Sequence, residues 1–318
     1  MAGLAWLTPR LPRRLLLAMA HGLGGVASLV DRRGRATALE NLRVVLPELS
    51  PGQARRVVRL SYANFARSFL DLFWFQRLDQ DSWARWVEIE GLDEARRQQL
   101  LQSGAVHVTP HFGNFEWASL IWGYLGFHRM HVVAQDFKNP RLTGLFSRLR
   151  EHSGHRLIPQ RGAMLRLMKV LKRRGHVALL TDLNVKPGRS ATVIRCFGLP
   201  TCVTRLHADL AVRCRVPVAA GVCEPIAGGR YRVRLLEVFD PPAANAGAGT
   251  DDQARDIALD ELVQRVWQVF EPEIRRRPEL WMWMYKHWRY RPDHDPAGFP
   301  AYANRSGAFA RLLRQRGG

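Results

Sequence analysis

An imidazole, a carboxamide and a carboxylate stand close together in Val106-His107-Val108-Thr109-Pro110-His111-Phe112-Gly113-Asn114-Phe115-Glu116. A carboxylate that hydrogen-bonds one nitrogen of His111 fixes its tautomer and leaves the other nitrogen as a base near neutral pH. Such a pair can deprotonate a hydroxyl. Glu116 is the nearest carboxylate in the chain and is the expected partner. The same residue types also suit a structural reading, in which Asn114 and Glu116 cap and charge a helix while His111 fills a turn. The spacing alone leaves both readings open.

The residues around this group say what must position it. Val106 to Thr109 reads as a buried strand, and Gly113 permits a tight turn after it. Asn114 is a good helix N-cap, and Glu116 falls in the first turn, where the helix dipole favours negative charge. Ligands of open α/β sheets bind at the carboxyl ends of strands, which is where this arrangement puts His111. Further short apolar runs, Ala105–Thr109, His131–Ala134, Arg156–Ile158, Val177–Thr181 and Val216–Val222, alternate with helix-length stretches near 115–126, 141–153, 161–174 and 200–214. That alternation predicts the α/β class, with a mostly parallel central sheet flanked by helices. Tyr231–Val238 is expected as an edge strand and Pro241–Thr250 as a surface loop. Helical spacing is expected over Gly52–Phe75 and Asp252–Arg277.

Near the N-terminus, Leu15–Val30 is an uncharged run of 16 residues, about 24 Å as a helix. A membrane span needs about 20 residues, so a short, tilted or interfacial anchor is expected, with a helix packed on the core as the alternative. The continuation of the run past Ala20 argues against a cleaved signal peptide, and arginines on both sides of it indicate no orientation.

The 318 residues include 48 Lys+Arg against 28 Asp+Glu, a net charge of +20, which favours a polyanionic partner or surface. No helix-turn-helix, zinc-finger or aromatic RNA-binding signature accompanies that charge, so nucleic acid is not an expected partner. Cys196, Cys202, Cys214 and Cys223 show no C-x-x-C pair and read as reduced thiols. His107 and His111, four apart, would suit a metal only on a helix, whereas Val106, Val108 and Pro110 indicate strand and turn. No metal and no cofactor are expected.

The H-x4-E spacing within Thr109-Pro110-His111-Phe112-Gly113-Asn114-Phe115-Glu116-Trp117 resembles the H-x4-D/E motif of the lysophospholipid acyltransferase superfamily. More narrowly, it is similar to the late acyltransferases of lipid A biosynthesis, the lauroyl/myristoyl branch. Arg35–Leu42 with Leu46–Ser50, Arg173–Asp182, Cys196–Thr201 and Pro278–Arg289 resemble other segments of that family in order and spacing, over roughly residues 10 to 292.

The resemblance implies a glycerol-3-phosphate acyltransferase-like fold, with an anchor helix in 1–35, a catalytic domain in 36–295 and a basic tail in 296–318. It implies acyl transfer from a thioester on acyl carrier protein, or on coenzyme A, to a hydroxyl of a phosphorylated glycolipid acceptor, a lipid A precursor. The reaction would take place at the cytoplasmic face of the inner membrane. His111 would be the general base and Glu116 its orienting partner. Arg148 and Asp182 match an arginine and an aspartate that help form the family's site, with Gly113 and Asn114 alongside. Turn amides around Gly113, or an arginine, would stabilise the oxyanion. Acidic carrier protein, phosphorylated acceptor and anionic membrane surface would all meet the cationic stretches between Arg161 and Arg195. Other acceptors consistent with the class are a phosphatidylinositol mannoside, an aminolipid or a lysophospholipid.

Overall fold

The apolar runs become the centre of one sheet. The computed structural model describes residues 7–127, 130–134, 140–159, 162–241, 252–293 and 298–315. Three helices come first: α1 (Arg13–Val30), α2 (Arg32–Val45) and α3 (Pro51–Trp74). They lead into β1 (Val87–Glu90), α4 (Glu94–Ser103), β2 (Ala105–Thr109), α5 (Phe115–Tyr124), β3 (Met130–Ala134) and α6 (Pro140–Glu151). The chain continues through β4 (Arg156–Pro159), α7 (Ala163–Leu171), β5 (His176–Leu180), β6 (Ala191–Cys196), β7 (Leu199–Thr204) and α8 (Leu206–Cys214). It then forms β8 (Val218–Pro225), β9 (Tyr231–Phe239), α9 (Asp252–Arg276), β10 (Tyr290–Arg291), β11 (Asn304–Arg305) and α10 (Gly307–Gln315).

Seven strands form the main sheet in the order β1-β9-β8-β2-β5-β3-β4, and only the β8–β9 pairing is antiparallel. Helices cover it, as the expected α/β class requires. The central strands β2 and β5 have buried side chains on both faces, which is why they read as largely apolar runs, with His107 and His176 among the buried residues. Beneath them, Val106, Val108, Val177 and Leu179 join one large apolar cluster with Leu167, Phe270, Trp281, Trp283 and Trp288. The tryptophans of the C-terminal motif are therefore core residues.

Three expectations change. Tyr231–Phe239 is not an edge strand, because β1 pairs outside it in parallel, setting Glu88 opposite Arg232 and Glu90 opposite Arg234. The stretch near 200–214 begins as β7, and its helix starts only at Leu206. A two-residue turn joins β6 to β7, with Phe197 at φ 52° and Gly198 at φ 82°. Positive φ at both positions defines a tight hairpin, and a phenylalanine gives no sequence signal for it. The third change concerns the N-terminus.

Helix α1 is packed along α3, with Leu16, Ala20 and Gly24 buried. A Cβ at Gly24 would collide with the backbone of Ala63, so glycine is what lets the two helices cross so closely. Arg13, also buried, pairs with Asp71 on α3, with Nη2 lying 3.0 Å from Oδ2. The first helix is thus part of the folded body, and among the described residues no helix is long and apolar enough to cross a membrane. Its outer face stays apolar and open, since Leu15, Leu23, Val26, Leu29 and Val30 are exposed. At the other end, α10 of the expected tail buries Phe309 against Ala191 and Cys202. Arg161 and nearly all of the expected 241–250 loop lie outside the described residues.

Candidate active site

Adjacent parallel strands with aligned ends bring distant residues together. In the β2–β5 pairing, Thr109 is the partner of Leu180. Two residues beyond each strand end stand His111 and Asp182. His111 Nδ1 lies 2.7 Å from Asp182 Oδ1, and the His111 backbone amide donates to Asp182 Oδ2 at 2.9 Å. A carboxylate only accepts, so in the neutral imidazole this contact puts the proton on Nδ1 and leaves Nε2 as a lone-pair acceptor, while the imidazolium would carry a proton on both. Trp281 Nε1 donates to the same Oδ2 at 2.8 Å. The Asp182 side chain is wholly buried, whereas that of His111 retains 11% exposure. Burial alone would raise the Asp182 pKa. The His111 charge and hydrogen bonds, with a smaller contribution from His287, outweigh it and hold the carboxyl down to about 2. The carboxylate therefore stays ionised at neutral pH.

The sequence expectation had Glu116 on the imidazole, and the geometry differs. Helix α5 begins with Asn114, whose side chain accepts from the Trp117 amide at 3.0 Å, and this start turns Glu116 away from His111. Glu116 instead forms a two-pronged pair with Arg150 of α6, at 2.6 and 3.0 Å. Arg148, the arginine expected at the site, is exposed on α6, and Arg150 takes the position beside the motif. Two residues on a helix differ by about 200° in direction, so counting along the motif could not choose between them. Between His111 and Glu116, the Phe115 ring lies 4.9 Å from the imidazole and 6.4 Å from Phe65 of α3. Phe65 and Phe69 are partly exposed, so an apolar strip reaches from the surface to His111.

The turn amides are not free to bind an oxyanion. His111 N–H goes to Asp182, Phe112 N–H to the Pro110 carbonyl at 2.7 Å, Gly113 N–H to Leu280 at 2.9 Å and Asn114 N–H to Cys223 at 2.8 Å. Gly113 sits at φ 57°, and a Cβ there would collide with the Cys223 carbonyl. This glycine lets the turn pass close to β8.

His107 does not face His111. It lies within β2, with Nε2 3.2 Å from Nδ1 of His176, and burial lowers the pKa of both, that of His176 to about 4. A small apolar cavity under α5 is lined by His107, Thr109, Ala118, Trp122 and Gly221. The contacts of Arg150 with Glu116 and of Trp281 with Asp182 were not legible in the sequence. Trp281 carried a signal in Pro278-Glu279-Leu280-Trp281-Met282-Trp283, but only the folded chain turns its indole N–H toward Asp182.

Fold and site together describe an α/β protein with a carboxylate-backed imidazole at the carboxyl end of its sheet. The model of the bacterial lipid A biosynthesis acyltransferase family matches residues 1–290, and the chain belongs to that family. It is accordingly an acyltransferase of groups other than aminoacyl groups. It is 24% identical over 313 residues to the lipid A biosynthesis lauroyltransferase of Escherichia coli (strain K12), covering 93% of this chain and 92% of that one. The palmitoleoyltransferase of the same organism is 22% identical over 293 residues, covering 91% of this chain and 90% of its own. A phosphatidylinositol mannoside acyltransferase of Mycolicibacterium smegmatis (strain ATCC 700084 / mc(2)155) is 26% identical over 271 residues, covering 83% of this chain and 88% of its own.

Proposed function

We propose that this acyltransferase moves a fatty acyl chain from an acyl-carrier-protein or coenzyme A thioester to a hydroxyl of a lipid A precursor, with His111 as general base. The observation that carries this reading is the contact of His111 Nδ1 with the buried, ionised Asp182, which leaves Nε2 as the proton acceptor. Nε2 takes the proton of the acceptor hydroxyl as its oxygen attacks the thioester carbonyl. The tetrahedral intermediate then collapses, the carbon–sulfur bond breaks, and the imidazolium returns the proton to the departing thiolate. Asp182 stabilises the imidazolium in between, and Trp281 keeps the carboxylate aimed. With the four turn amides engaged, a guanidinium is the fitting donor to the oxyanion. We infer that Arg150, held beside the motif through its pair with Glu116, is that guanidinium.

Location at the cytoplasmic face of the inner membrane fits the exposed apolar face of α1, which would lie in the plane of the leaflet. Exposed Phe65 and Phe69 on α3, with Phe65 linked to His111 through Phe115, would give a membrane-held acceptor an apolar approach. Exposed Arg166, Lys169, Lys172, Arg173 and Arg174 suit lipid phosphates and an acidic carrier protein.

The test is mass spectrometry of lipid A and total membrane lipids from cells expressing the wild type or His111→Ala. Gain of one acyl chain on lipid A with the wild type alone is expected. A gain on another lipid, such as a phosphatidylinositol mannoside, would replace the acceptor, and no gain on any lipid would refute the reading.

A further inference from the structure

Helix α3 carries Ser61, Asn64, Ser68 and Asp71, spaced three, four and three apart, so they share one face. Ser61, Ser68 and Asp71 are buried at 2%, 1% and 0% exposure, on a long helix whose inner face is otherwise apolar. Buried polar groups cost stability unless they are hydrogen-bonded; Asp71 also accepts from Arg13 and Tyr231, and the face as a whole reaches two further segments. The first is the turn that carries His111. Asn64 Nδ2 and Ser68 Oγ both donate to the Gly113 carbonyl, each at 2.9 Å, and Asn114 Nδ2 donates to Asp71 at 3.2 Å. The second is the C-terminal segment that carries Trp281. Asn64 Nδ2 also donates to the Leu280 carbonyl at 3.2 Å, and Ser61 Oγ donates to the Trp281 carbonyl.

These two segments supply the groups that hold the Asp182 carboxylate, His111 and the Trp281 indole. They also bond directly, Gly113 N–H to Leu280 and Phe112 bridging Trp281. We propose that Asn64 and Ser68 are positioning residues for acyl transfer. They pin the Gly113 carbonyl and hold the His111 turn in register with the Trp281 segment, so that the imidazole stays on Asp182. This rests on the reading of His111 as the base.

Asn64→Asp keeps the shape but puts a carboxylate against two carbonyl oxygens, and Ser68→Ala removes the second donor. Each is compared with Asn41→Asp on α2, which loses two equivalent bonds, to the Trp283 and Tyr285 carbonyls, without touching the turn. Turnover is read with lauroyl-acyl carrier protein and the purified glycolipid precursor of lipid A, beside thermal melting. Asn64→Asp and Ser68→Ala are expected to lose tenfold or more in kcat with KM for both substrates within twofold, and Asn41→Asp less than threefold in kcat. If Asn64→Asp does not fold, Ser68→Ala carries the test. A kcat within threefold of wild type in the foldable clamp variants, or an equal loss in Asn41→Asp, overturns the clamp while His111→Ala is inactive. Activity retained in His111→Ala would overturn the base assignment and the clamp with it.

Discussion

Replacing Asp182 by Asn probes the His111 pair most directly, because the surroundings dictate how the amide must sit. Oδ2 accepts from two N–H groups, the His111 amide and the Trp281 indole, while Oδ1 faces His111 Nδ1 alone. An asparagine satisfies both donors only by placing its oxygen at the Oδ2 position, which puts its NH2 against Nδ1. The NH2 group can only donate. His111 then carries its proton on Nε2, facing the acceptor hydroxyl with a donor where the reaction needs a base. General-base catalysis contributes about 10²–10⁴ in rate, or roughly 3 to 5 kcal/mol of barrier, so a kcat loss of that order is expected. Steady-state kinetics with a thioester donor and lipid acceptor would measure it. Asp182→Asn that folds and keeps kcat within tenfold of wild type would refute the argument.

The same variant has a signature in acid. The Asp182 carboxyl is held at about 2 against an ordinary 3.8. The folded state therefore gains about 2 kcal/mol from this group above pH 3.8, and loses it as the pH falls toward 2. Urea unfolding across that window should show this component in the wild type and not in Asp182→Asn.

Glu116→Gln and Arg150→Met should each lower kcat/KM by about 10- to 100-fold, and the double variant little further, since either change breaks one shared pair. Independent, additive losses in the double-mutant cycle would show that the two act separately. Gly24→Ala should destabilise the fold by about 1 to 3 kcal/mol, because its methyl group meets the Ala63 backbone. Gly25→Ala, with open space around the added carbon, should stabilise α1 by about 0.5 to 1 kcal/mol. Denaturant melts that fail to separate the two variants would refute the close crossing of α1 and α3.

Much of the scaffold is local in origin and could be read directly. Ser50 and Gln53 form a capping box that starts α3, with Pro51 at its first position, and Asn114 caps α5 through its side chain. The apolar runs of β2 and β5 mark strands buried on both faces. The motif around His111 marked the site, since a base beyond a strand end is a matter of local spacing. Strand neighbours are different, because pairing depends on contacts far apart in the chain. Val87–Glu90 is too short to declare itself, yet it caps the sheet and moves Tyr231–Phe239 inside. The carboxylate on His111 was decided the same way. Glu116 is five residues from His111 and Asp182 is 71, but a helix start turns the nearer one toward Arg150 while the β2–β5 register delivers the farther one. Chain proximity orders residues along one dimension, and the parallel sheet sets which strand ends meet.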